Sequence, residues 1–310
     1  MNSEFKAHII TPILIIVVFA LIITLEVIPA DTFGANDSPY LAAVIVQLIT
    51  IALPTLFYCM MRGKKLTGNL RLRLPKSYTI LYTVFVTLFL ICGVALISII
   101  EYSIAPGSFE TTSATEYASL ARRGGFFNEA YLIITFCLLP AVSEELLFRG
   151  VVLAEYEKNG VFMAVIMSVL YFSMSHFSLS RLPVYIFSGI VLASAAYATR
   201  SVFVTMLIHM LNNTVVLYAE NYVLRLVDRR NSSLMLMLII LAGVFMISGV
   251  VAGFEAYRVY RTYAVRNVDS DYRVKRKSGL FSRIQQNFFS PTFLITVIIY
   301  VGFIIYKMRK

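Results

Sequence analysis

"YTILYTVFVTLFLICGVALISII", residues 78–100, runs for 23 residues without one charged side chain. At 1.5 Å per residue a helix of that length crosses the roughly 30 Å hydrocarbon core of a bilayer, and a helix satisfies its own backbone there. Comparable runs recur along the chain and give nine candidate spans, at about 9–29, 40–61, 78–100, 129–153, 161–177, 182–198, 201–219, 234–257 and 290–306. They are continuous and do not alternate, so they predict helices and not strands of an outer-membrane barrel. Of the 310 residues 59% are hydrophobic and 14% charged, with a mean hydropathy of +0.78, too little polar surface for a soluble domain. The expected fold class is all-α, a polytopic transmembrane helical bundle.

The first span is too long for a signal-peptide core and reads as an uncleaved anchor. The formal charge of +10 comes from short basic loops beside apolar spans, so it points to membrane topology and not to nucleic acid. The stretch "RGKKLTGNLRLRLPK" (62–76) carries Arg62, Lys64, Lys65, Arg71, Arg73 and Lys76 and no acid, which places it in the cytoplasm. Alternation then puts the N-terminus inside and the acidic "ADTFGANDSP" (30–39) outside, in a multi-pass protein of the plasma membrane. The basic segment 258–289 also falls inside, where it can lie along anionic lipid. "RLVDRR" (225–230) and the tail "KMRK" (307–310) fall outside, against the trend. The long polar stretch 101–128 is expected to be an outer loop with one short surface helix. By organisation the chain reads as a membrane domain at 1–257, the basic segment at 258–289 and a hydrophobic segment at 290–310. Cys59, Cys92 and Cys137 stand singly in apolar runs and read as small buried hydrophobes.

Charges inside a span need a reason, because each costs roughly 2.5–3.5 kcal/mol on insertion scales. "AVSEELLFRG" (141–150) holds three of them within the fourth span. The plain alternative is that they mark where the helix leaves the membrane. The apolar "VVLA" beyond them, before "EYEKNG", weakens it. Glu145 and Arg149 are i,i+4 with the acid first, the favoured order for a pair on one face. Glu144 points about 100° away around the helix. The spacing therefore makes Glu145 structural, holding Arg149, and leaves Glu144 to face a cavity.

Two further patches are polar. In "YFSMSHFS" (171–178), Phe172 and His176 share a helical face; in "LIHMLNNTVV" (207–216), His209 and Asn213 do. Either alone is as well read as polar glue between helices. Together they place two of only three histidines (His8 is the other), a carboxylate and an amide within apolar helices. A carboxylate beside an imidazole can hold and deprotonate a water, and a second imidazole with a carboxamide can stabilise an oxyanion. That is chemistry for hydrolysing an acyl compound, a peptide bond first among them.

Glu-Glu-x-x-x-Arg at 144–149, Phe-x-x-x-His at 172–176 and His-x-x-x-Asn at 209–213, in that order on three helices, resemble the CPBP family (CAAX protease and bacteriocin-processing), which includes the type II CaaX prenyl endopeptidases. The resemblance covers about residues 129–220 and implies an eight-helix core, here with one extra C-terminal span. It further implies a glutamate-dependent intramembrane endopeptidase that needs no cofactor. Glu144 and His176 would activate water, His209 and Asn213 would hold the oxyanion, and Glu145, Arg149 and Phe172 would be structural. Asn212 is the second choice for the amide. The implied partners are the lipid bilayer and a membrane-associated peptide or protein substrate.

Three rivals stand beside this reading, of which a proton-relaying transporter has neither an inverted repeat nor a pair of broken helices to support it. One carboxylate and two histidines could bind zinc, although there is no HExxH. The family also includes bacteriocin-immunity proteins and membrane regulators or scaffolds that bind other membrane proteins without cleaving them.

Overall fold

The structure is a computed structural model that describes residues 7–28, 39–106, 126–229, 232–265 and 279–309. Among these residues the regular elements are all helical. We number the main ones α1 (Ala7–Val27), α2 (39–62), α3 (Ile80–Ile104), α4 (126–156), α5 (Val161–Met174), α6 (Leu182–Thr199), α7 (Val202–Arg229), α8 (Ser232–Val265), α9 (Leu280–Phe288) and α10 (Pro291–Arg309). Eight of them, all but α5 and α9, are long and apolar enough to cross a membrane, so the protein is a polytopic helical bundle and an integral membrane protein. The fifth expected span is the short one. At 14 residues α5 rises only about 21 Å, less than a hydrocarbon core. Conversely α7 and α8 outrun their apolar stretches, to Arg229 and Val265. The expected loops at 30–38 and 107–125, and much of the basic segment (266–278), lie outside the described residues. The end of that segment is described, and it forms the helix α9.

Local chemistry sets several helix ends. Ser290 and Ser201 cap α10 and α7 by accepting from the amides of Phe293 and Val204. Proline at the first turn of α6 and α10 sits where no intrahelical donor is needed. Arg200 closes α6 in the left-handed conformation, φ 56°.

Prolines inside helices act differently. Pro54 in α2 and Pro140 in α4 each lack the amide that would bond four residues back. In both cases the helix widens into a π-turn that ends two residues before the proline, Leu48–Ala52 and Ile134–Leu138. A third π-turn, Leu146–Val152, comes directly after Glu145 and contains Arg149, with no proline to cause it.

The chain divides into two compact units. One comprises Met1–Arg71, Val142–Leu179 and Tyr272–Lys310; the other, Leu72–Ala141 and Ser180–Asp271. In the first, α1 packs along α10 and against α2, and the second half of α4 packs on α5. One end is tied by Arg62–Glu155 at 2.7 Å, Arg71–Glu157 at 2.8 Å and Asn159–Asn287 at 2.9 Å. The opposite end is tied by Lys307, which meets Glu26 at 3.2 Å and the carbonyl of Phe177 at 3.3 Å. Together with the turn after it, short α5 therefore connects the two ends.

In the second unit α3 lies against α6, α7 and α8 around a core that includes Val86, Leu90, Leu192, Ala195 and Ile208. Small residues on α6 (Ala193, Ala195, Ala196 and Ala198) are buried, as close helix approach in lipid requires. Gly93 leaves the space taken by the ring of Phe187. Here one end gathers Ser201 with Arg73, and Arg258 and Tyr263 with Tyr78; the other gathers Glu101, Arg181 and Glu220, and Tyr102 with Asp228.

Candidate active site

The two adjacent glutamates of α4 part company at the π-turn. Glu145 meets Arg149 at 2.8 Å with neither side chain exposed. Arg149 also lies over the Phe172 ring, 4.4 Å from its centroid, and Phe148 meets that ring edge-on at 5.5 Å. Ser168 of α5 donates to the carbonyl of Phe148 at 2.9 Å and pins the widened turn. One carboxylate, one aromatic face and one helix contact thus surround a charge that lipid would expel.

Glu144 turns the other way, toward the end of α5. His176 stands just past Met174, and its Nδ1 donates to the carbonyl of Phe172 at 2.8 Å. A carbonyl can only accept, so in the neutral ring Nδ1 holds the proton and Nε2 presents a lone pair. That Nε2 lies 3.8 Å from Oε2 of Glu144, close but beyond a direct hydrogen bond. The His176 and Glu144 side chains keep 23% and 11% of their surface exposed, although Oε2 itself is buried, whereas the Glu145–Arg149 pair keeps none.

The segment behind His176 is held firmly. Phe177 adopts φ 45°, a left-handed conformation uncommon for a bulky residue. Its ring packs against Phe19 of α1 at 4.9 Å and against Tyr300 and Phe303 of α10 at 5.7 and 5.1 Å. With Lys307 on its carbonyl, the residue next to His176 is bound to α10.

One neighbour was missed in the sequence. Gln47, the last residue of α2 before its π-turn, donates through Nε2 to the Ser143 hydroxyl at 2.7 Å and to Oε1 of Glu144 at 3.4 Å. The available signal was an uncharged amide inside the apolar run "AAVIVQLITIA" (42–52), a polar group that lipid makes conspicuous.

His209 and Asn213 belong to the second unit, on α7. His209 is 6% exposed and Asn212 is buried, whereas Asn213 is half-buried. The three cysteines are free thiols in buried positions.

No curated protein and no solved structure matches the chain. One family model does: residues 126–215, which contain all three motifs from Glu144 to Asn213, match the type II CAAX prenyl endopeptidase Rce1-like family, and the resemblance to CAAX-protease-type membrane endopeptidases rests on that stretch.

Proposed function

We propose that this protein is an intramembrane endopeptidase that hydrolyses a peptide bond in a membrane-associated protein or peptide, with Glu144 as the base. The observation that carries the reading is the Glu144–His176 couple. A carboxylate oxygen on α4 and an imidazole lone pair in the turn after α5, 3.8 Å apart, are both acceptors. A water between them donates one proton to each and keeps its own lone pair for attack.

The reaction then balances in two steps, addition and collapse. Glu144 takes a proton as the water oxygen bonds to the scissile carbonyl carbon. The carbonyl oxygen becomes an oxyanion, for which the resemblance supplies His209 and Asn213 as donors. Collapse breaks the C–N bond, and the proton on Glu144 passes to the leaving nitrogen, giving a new amine and a new carboxylic acid that loses the water's second proton to solvent. Glu145, committed to Arg149, takes no part.

Comparing membrane peptidomes of cells carrying the wild type and Glu144→Gln identifies a substrate, which is then assayed with purified protein in nanodiscs. Glu144→Gln keeps shape and hydrogen bonding but cannot take the proton, so turnover should fall by about a hundredfold to ten-thousandfold with folding unchanged. Full turnover by the folded variant would sink the glutamate mechanism. Activity lost to a chelator and restored by zinc would replace it with a metal mechanism. A cellular phenotype that survives Glu144→Gln would favour a non-proteolytic regulator or scaffold.

A further inference from the structure

We infer that Gln47 is a positioning residue for the catalytic carboxylate, selecting which oxygen of Glu144 faces the reacting water; this rests on the proposed role of Glu144 as base. A glutamate side chain has three rotatable bonds and two equivalent oxygens, so a useful base must be fixed both in rotamer and in the oxygen it presents. The second requirement is met from α2. The Gln47 amide contacts Oε1, leaving Oε2 as the oxygen toward His176. The same nitrogen is itself anchored at 2.7 Å on Ser143, the residue preceding Glu144. Amide, hydroxyl and carboxylate therefore form one short relay between two helices.

The backbone geometry is compatible with this, although Pro54 already accounts for the first of the two turns. A π-turn begins directly after Gln47, and another directly after Glu144 and Glu145. Each π-turn inserts about one extra residue into the turn and rotates the residues beyond it by about 100°. Polar groups before the turns can thus aim at each other, while the apolar residues after them still face their own neighbours.

A positioning residue and a structural one differ in kinetics. Gln47→Met keeps length and removes the donor. With an identified peptide substrate in nanodiscs, kcat should fall on the order of tenfold to a hundredfold, the scale of a misplaced reacting group, with KM changed less than about threefold. Ser143→Ala loosens the anchor without touching the carboxylate and should lower kcat several-fold in the same pattern. The decisive measurement repeats Gln47→Met in a Glu144→Gln background, following residual cleavage over long times by mass spectrometry. Once the carboxylate is gone Gln47 has nothing to present, so the second change should cost less than about twofold.

Equal fractional losses in both backgrounds, or an undiminished kcat in Gln47→Met, would overturn the inference while leaving Glu144 as the base. If Gln47→Met fails to reach the membrane folded, an unchanged kcat in Ser143→Ala would overturn it instead. Full activity of Glu144→Gln alone would overturn the base itself, a separate result.

Discussion

Arg149 is a full positive charge with no exposed surface, and nearly everything around it makes that tolerable. Breaking a buried pair leaves an uncompensated ion and costs about 3–5 kcal/mol, whereas replacing both members by apolar groups of similar size is often neutral. Glu145→Ala and Arg149→Ala should therefore each lower the melting temperature sharply in detergent, and Glu145→Leu with Arg149→Met should recover most of the loss. A double variant as unstable as the singles would mean that the charges themselves, and not their mutual cancellation, hold α4 to α5. At this scale i,i+4 spacing made the ion pair legible, since it depends only on helix geometry. Gln47 was not legible as a partner of Glu144. Nothing in a lone neutral amide names a group 97 positions away.

Single elements were legible where hydropathy decides them and obscure where backbone hydrogen bonding does. A polar helical extension such as "YVLRLVDR" (222–229) carries no lipid signal, so hydropathy alone makes α7 too short. A π-turn changes no composition at all. Pro54 and Pro140 announce a defect, but not its form. The aromatic cluster on Phe177 is equally silent in sequence, because it joins α1, the end of α5 and α10 from three distant places. Its energetic weight is testable. Phe177→Ala removes a fully buried ring between Phe19, Tyr300 and Phe303, and should cost about 3–5 kcal/mol by cavity formation. Lys307→Met keeps the stem and loses only contacts that are partly exposed, so it should cost less than about 1 kcal/mol. Thermal denaturation in one detergent compares them. Equal losses would mean that the polar clamp, and not the aromatic packing, fixes the turn after His176.

For the whole molecule, alternation of the chain across the membrane can be checked end by end. In the first unit Arg62, Arg71, Glu155, Glu157 and Asn159 share an end with Asn287, and Glu26, Phe177 and Lys307 share the other. In the second, Arg73, Tyr78, Ser201 and Arg258 gather opposite Glu101, Arg181, Glu220 and Asp228. Within each unit these groupings are those that successive helices running in alternating directions require. They also account for part of the charge pattern. Lys307, on the side expected to lack basic residues, is matched by Glu26, and Arg181 by two acids. Which end is cytoplasmic rests on the loop at 62–76, whose lysines and arginines resist translocation. Leu74, in the segment before α3, and Ile104, the last residue of α3, are each 78% exposed, and the native thiols are buried. Cysteines placed singly at 74 and 104 should therefore report orientation when intact cells meet a membrane-impermeant maleimide. Position 104 should label from outside, and position 74 only after permeabilisation. The reverse pattern would turn the protein over in the membrane and put the N-terminus outside. Labelling of both in intact cells would mean that α3 does not cross at all.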